Sequence, residues 1–149
     1  MSDDRIEREI FIEAPVSKVW SVLTEGEHIG QWFCQGKPVP IELRPGGIMH
    51  LDHGDHGQFP TKIVKVDEPR YFSYLWAGAY PGVEATEDNS TLVEFTLDAE
   101  GTGTRLRLVE SGFATLTIPA GSGFSLGQNS EGWTAMVANL RTYAEKLPS

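Results

Sequence analysis

The sequence predicts an α+β domain in which a curved antiparallel sheet wraps around one long C-terminal helix. Three observations carry the prediction. A lone strand-like segment opens the chain, short β segments fill its middle, and an apolar stripe at helical spacing closes it. One sheet and one apolar helix bury their apolar faces only against each other, so the sheet has to curl around the helix.

The elements follow in order. Ile6, Arg8, Ile10 and Ile12 alternate with Glu7, Glu9 and Phe11, the period-2 pattern of a half-buried strand. Ala14-Pro15 stops it, and Pro15 suits the first helical position, where a missing N–H costs nothing. Val16, Val19, Trp20 and Leu23 recur at amphipathic helical spacing, and after Gly26 a second short helix repeats it with Ile29, Trp32 and Phe33. Between Lys37 and Glu110 the grammar is β, with strand-like runs at 40–43, 48–51, 61–66, 71–76, 91–98 and 104–110. Pro45-Gly46-Gly47, the 53–57 stretch, Asp67-Glu68-Pro69 and 100–103 carry turn chemistry between them. Such short links require antiparallel pairing, and with the first strand the sheet has about seven strands. The link from Ala77 to Ser90 is longer and acidic. Trp133, Met136, Val137, Leu140, Ala144 and Leu147 then form an unbroken helical stripe. Asn129 or Ser130 is placed to cap that helix, with Glu131 at its positive end, Lys146 at its negative end and Pro148 stopping it.

Composition bounds the function. The 149 residues read as one domain, 1–149, with a core large enough to enclose a small cavity without disulfide or metal staples. Twelve basic residues against 21 acidic leave a net charge of −9, which repels phosphate backbones and anionic lipid heads and argues against nucleic-acid and membrane partners. No apolar run approaches the ~18 residues of a membrane span. Met1-Ser2-Asp3-Asp4 lacks the basic and apolar parts of a signal peptide. The lone Cys34 cannot form an internal disulfide and fits a reducing cytoplasm.

Glu13-Ala14-Pro15 runs into Val19-Trp20-Ser21-Val22-Leu23-Thr24, followed by Trp32, Glu42-Leu43-Arg44-Pro45-Gly46-Gly47, Val66-Asp67-Glu68-Pro69-Arg70, Tyr74-Leu75-Trp76 and Gly132-Trp133. In this order and over nearly the whole chain, the segments resemble the START-like helix-grip (SRPBCC) superfamily. The nearest branch is that of the heat-shock protein 90 ATPase activator homologues. The resemblance implies a sheet gripping the last helix with a cavity between them, where members bind or process hydrophobic small molecules. Some members act on proteins instead.

Strand parity selects the cavity walls. Phe72, Tyr74 and Trp76 share one face, as do Val93, Phe95 and Leu97, and Trp133, Met136, Val137 and Leu140 face them from the helix. A ligand pocket and a solid core share this periodicity; pockets add a few placed polar groups. Leu106, Leu108 and Glu110 alternate together, so an inward Glu110 could anchor a ligand or serve as acid or base. Its place at a strand end also suits a solvated rim, the plainer expectation. Tyr74 could donate a hydrogen bond across the cavity. His50 and Asp52 share a face and form a candidate acid–base pair. Together with His53, Asp55 and His56 they cluster metal-ligand types, but His50 and His53 have opposite parity and the rest lies in a Gly-rich turn, so no metal is expected. No cofactor is expected either, since phosphate-binding loops are absent.

Gly123-Phe124-Ser125-Leu126-Gly127 matches a nucleophile elbow. That elbow needs a parallel α/β sheet and a histidine after the serine, whereas His28, His50, His53 and His56 all precede Ser125. Residues 112–128 read instead as a long mobile connection near the cavity mouth, and Cys34 as a half-buried small hydrophobe. The leading functional reading is a cytoplasmic protein that binds a hydrophobic or aromatic small molecule. A cyclase- or hydrolase-like enzyme using Glu110, Tyr74 or His50 is the second reading, and a chaperone-binding domain the third.

Overall fold

Among the described residues, alternation and helical spacing become nine elements. The computed structural model describes residues 5–33, 37–52, 58–77, 82–86, 88–113 and 126–147, with side chains in the last stretch from Ser130 onward. They are β1 (Arg5–Ile12), α1 (Val16–Thr24), α2 (Gly26–Trp32), β2 (Ile48–Asp52), β3 (Gln58–Asp67), β4 (Tyr71–Trp76), β5 (Thr91–Glu100), β6 (Gly103–Ser111) and α3 (Leu126–Lys146). One six-stranded sheet has the order β1-β6-β5-β4-β3-β2, and its pairings are antiparallel. Strands β2 to β6 form the meander that short turns demand, and β1 closes onto the free side of β6. The sheet curves around α3.

The sheet has one strand fewer than expected, because the 40–43 run makes only an isolated bridge, Ile41 to Met49. The His50 amide donates to the Pro40 carbonyl at 2.9 Å and the Glu42 amide to the Ile48 carbonyl at 3.1 Å. Pro40 has no N–H to return a bond to His50, so a ladder cannot propagate there. Pro15 sits at the N-cap of α1 rather than inside it, with ψ at 153°. Its carbonyl accepts from the Lys18 and Val19 amides at 3.0 and 3.1 Å. Helix α3 begins at Leu126, so Asn129, Ser130 and Glu131 lie within it instead of capping it. Lys146 occupies its last turn as expected.

Trp133, Val137, Leu140 and Ala144 are the buried stripe of α3, flanked by the half-buried Met136, Tyr143 and Leu147. Opposite them lie Phe72, Tyr74, Val93, Phe95, Leu97, Leu106 and Leu108, all buried. Each large apolar side chain so placed contributes about 1.5–3 kcal/mol. Polar clamps set the position of the helix. Arg8 Nη2 donates to the Ser130 carbonyl at 2.9 Å and its hydroxyl at 2.5 Å, and Nε to Thr134 Oγ1 at 3.2 Å. At the other end of α3 the Lys18 amino group donates to the Leu147 carbonyl. Arg8→Met is therefore expected to cost about 1.5–3 kcal/mol, the range for hydrogen bonds from a charged donor. Urea unfolding measures the loss, and amide exchange should quicken first around residues 130–134. The outer face carries surface ion pairs such as Arg107–Glu7 and Arg105–Glu100. Hydrogen bonds from these guanidinium groups hold both carboxyls below their ordinary value, but such exposed pairs add little stability.

Candidate functional site

Antiparallel pairing gathers the ends of β2, β4 and β6 and the starts of β3 and β5 at one end of the sheet. Glu110 sits there, facing inward as its parity predicts, and its exposure is 0%. Trp133 Nε1 donates to Glu110 Oε1 at 2.8 Å, and the Thr91 hydroxyl donates to Oε2 at 2.5 Å. The solvated-rim expectation is thus corrected. Glu110 is paired with Ile6 on one side and Val93 on the other, and the Trp133 indole reaches it from α3. A buried carboxylate is costly unless its oxygens are hydrogen-bonded, and two short donors supply those bonds.

Aromatic rings surround this group. The Trp133 ring stacks on Phe33 with centroids 5.5 Å apart and meets Phe95 edge-on at 6.0 Å. Phe33 stacks on Trp32 at 4.8 Å. Phe95 neighbours Phe72 and Tyr74 at 6.5 and 6.4 Å, and Trp20 of α1 meets Phe72 edge-on. Of the sequence-selected wall residues, Phe72, Tyr74, Phe95, Glu110, Trp133, Val137 and Leu140 are buried. Trp76 and Met136 are half-buried and so present surface at the margin. Thr91 and Phe33 belong to the same group and went unselected. Thr91 could have been found from its shared parity with Val93 and Phe95, and Phe33 from the Trp32-Phe33 pair ending an amphipathic stretch.

His50 does not join Glu110. It is exposed, on the face of β2 opposite to the buried Met49 and Leu51. Asp52 shares its face, as parity predicts. Cys34, His53, Asp55, His56 and Ser125 lie outside the described residues, as does most of the 112–128 connection, of which Leu126 to Gln128 are already helical. Among the described residues no group of three or more His, Cys, Asp or Glu is arranged to hold a metal ion. His28 of α2 and Tyr143 of α3 share a hydrogen bond of 2.7 Å; burial, and then the Glu27 charge, raises the Tyr143 phenol above its ordinary value.

Outside the interior, a cleft of about 510 Å³ lies between the 37–40 segment and the β2–β3 hairpin. Phe59 is part of its wall and meets Trp76 edge-on with centroids 5.7 Å apart.

A curved antiparallel sheet closed on a long C-terminal helix, with two short helices after the first strand, is the helix-grip fold of the START-like superfamily. Within it, the family described as activator of Hsp90 ATPase homolog 1-like protein matches residues 13–145, and the chain belongs to that family. Solved structures show the same fold. Protein MLL2253 from Mesorhizobium loti is 22% identical, covering 97% of this chain and 99% of its own, with a TM-score of 0.77. DynU16, a protein of the dynemicin biosynthetic locus, is 23% identical over 97% of this chain with a TM-score of 0.75, and the chain spans 48% of its length. The Aha1 dimer from Colwellia psychrerythraea is 18% identical, covering 95% of this chain and 96% of its own, with a TM-score of 0.75. No curated protein matches the chain. Among the described residues no helix is long and apolar enough to cross a membrane.

Proposed function

We propose that this protein binds a hydrophobic or aromatic small molecule between the sheet and α3, at the end that carries Glu110, Trp133, Trp76 and Met136. The observation that carries the reading is the Glu110 carboxylate, fully buried among aromatic rings and held by two neutral donors. An apolar wall with one placed polar anchor is the usual make-up of a small-molecule site. A ligand hydroxyl or amide at this end would donate to Glu110 as Thr91 and Trp133 do. In this reading Phe72, Tyr74, Phe95, Val137 and Leu140, all buried in the same core, complete its apolar wall. The lone Cys34 supports a cytoplasmic location.

Thermal shift and native mass spectrometry against a panel of lipid-like and polycyclic aromatic compounds test the reading. Binders should raise the melting temperature. Glu110→Gln should weaken donor-bearing binders by about tenfold, the equivalent of 1.4 kcal/mol, while sparing fully apolar ones. If no compound in the panel stabilises the protein, the reading is wrong.

The same buried carboxylate favours an acid–base enzyme of this fold as the second reading. Its mark is turnover that vanishes in Glu110→Gln while binding survives. Family membership brings a third, a chaperone partner, which an unchanged ATPase rate of the cognate chaperone would dismiss.

A further inference from the structure

The cleft beside β2 lies apart from the Glu110 site, and its walls are fixed in place. The Val39 amide donates to the Gly26 carbonyl and the His50 amide to the Pro40 carbonyl, both at 2.9 Å. The 37–39 backbone rests on α2 so closely that a Cβ on Gly26 or Gly30 would come within 1.9 Å of the Val39 or Lys37 carbonyl oxygen. Pro38 and Pro40 hold their φ angles by ring closure, so this wall is stiff before any ligand arrives. Pro38, Pro40 and Pro60 make much of the surface apolar. At about 510 Å³ the cleft falls within the range of roughly 300–1,000 Å³ typical of small-molecule sites.

Its polar groups indicate what it takes. Lys37 of the 37–40 segment and His50 of β2 both line the cleft, and both side chains are exposed. Neither side chain makes a hydrogen bond or ion pair with another described residue. Both are donors, and a carboxylate accepts from two donors at once through its two oxygens. Asp52, on the same strand face as His50, also lines the cleft and opposes an anion close to it. The anionic end therefore lies toward Lys37 and Pro40, with the apolar body over Pro60, which pairs with His50 and shares its face. We infer that this cleft is a second site, separate from the Glu110 interior, for an apolar carboxylate such as an aryl or medium-chain alkyl acid, held by Lys37 and His50.

The test uses the ¹⁵N-labelled full chain titrated with 2-naphthoate, octanoate, 2-naphthylmethanol and 2-naphthylmethylamine, followed by amide chemical shifts and calorimetry. The acids should give saturable shifts at Val39, His50, Leu51 and Phe59. They should bind about tenfold tighter than the alcohol, as expected for charge-assisted bonds. Lys37→Ala and His50→Ala should each weaken the acid several-fold, Lys37→Arg should retain most of the affinity, and Glu110→Gln should leave it unchanged. Both replaced side chains are exposed, so these variants fold. Equal binding of alcohol and acid would overturn the proposal, as would preference for the amine, which would make Asp52 the anchor. Shifts centred on Trp133 and Glu110, or no saturable shift at all, would overturn it too; the former would leave the interior reading standing.

Discussion

Trp133→Ala is expected to destabilise the protein by about 3–5 kcal/mol, the range for removing a buried large aromatic. Urea unfolding measures it as a fall in midpoint at unchanged slope. The indole is 3% exposed and lies between Phe33 and Phe95 while bonding to Glu110, so its loss opens a cavity at the junction of α2, α3 and the sheet. Trp133→Phe separates packing from hydrogen bonding. It keeps a ring and removes the donor, leaving one oxygen of a buried carboxylate without that bond, at a cost of about 1–3 kcal/mol. In a Glu110→Gln background the same exchange should cost less, because the amide oxygen left behind carries no charge. The side-chain amide of that background would still accept from Trp133 and donate to Thr91, whose hydroxyl can turn to accept. A double-mutant cycle reads the coupling directly. Equal costs of Trp133→Phe in the two backgrounds would mean that the indole N–H does not stabilise the carboxylate.

How far such a site can be read in advance depends on what each residue answers to. Strand parity is a property of the chain itself, so the inward faces of Phe72, Tyr74, Phe95 and Glu110 were legible, and so was the stripe of α3. Exposure is not. Whether Glu110 meets water depends on Trp133, 23 residues later in sequence, and on β1, which reaches β6 from the opposite end of the chain. Turn residues located the reversals correctly. The 40–43 run nevertheless failed as a strand because pairing required an N–H that Pro40 lacks. The start of α3 was misplaced because Asn129 and Ser130 satisfy a capping pattern, yet Ser130 is engaged by Arg8 from β1. Local chemistry decided elements and facing; contacts between distant segments decided burial.

The glycines of α2 are the sharpest case of such a distant contact, and they set two substitutions of one kind against each other. Alanine exceeds glycine in helix propensity by about 0.8–1.0 kcal/mol, so propensity alone has Gly30→Ala stabilising α2. The structure reverses the sign. A Cβ at Gly30 would lie 1.9 Å from the Lys37 carbonyl oxygen and 2.7 Å from its carbon, and at Gly26 1.9 Å from the Val39 oxygen. These are backbone atoms, so no side chain can swing away. Either α2 or the 37–39 segment has to shift, and the net cost should be about 1–3 kcal/mol, the usual range for overpacking. Gly132 in α3 is the matched control: it is exposed and nothing lies within 4 Å of its Cβ position. Gly132→Ala is expected to raise stability by about 1 kcal/mol. Denaturant midpoints of the three variants measure both signs. Because the 37–40 segment is one wall of the cleft, Gly30→Ala should also weaken 2-naphthoate binding, whereas Gly132→Ala should leave it unchanged. A stabilised Gly30→Ala with an intact cleft would show that the backbone approach to α2 does not hold that wall.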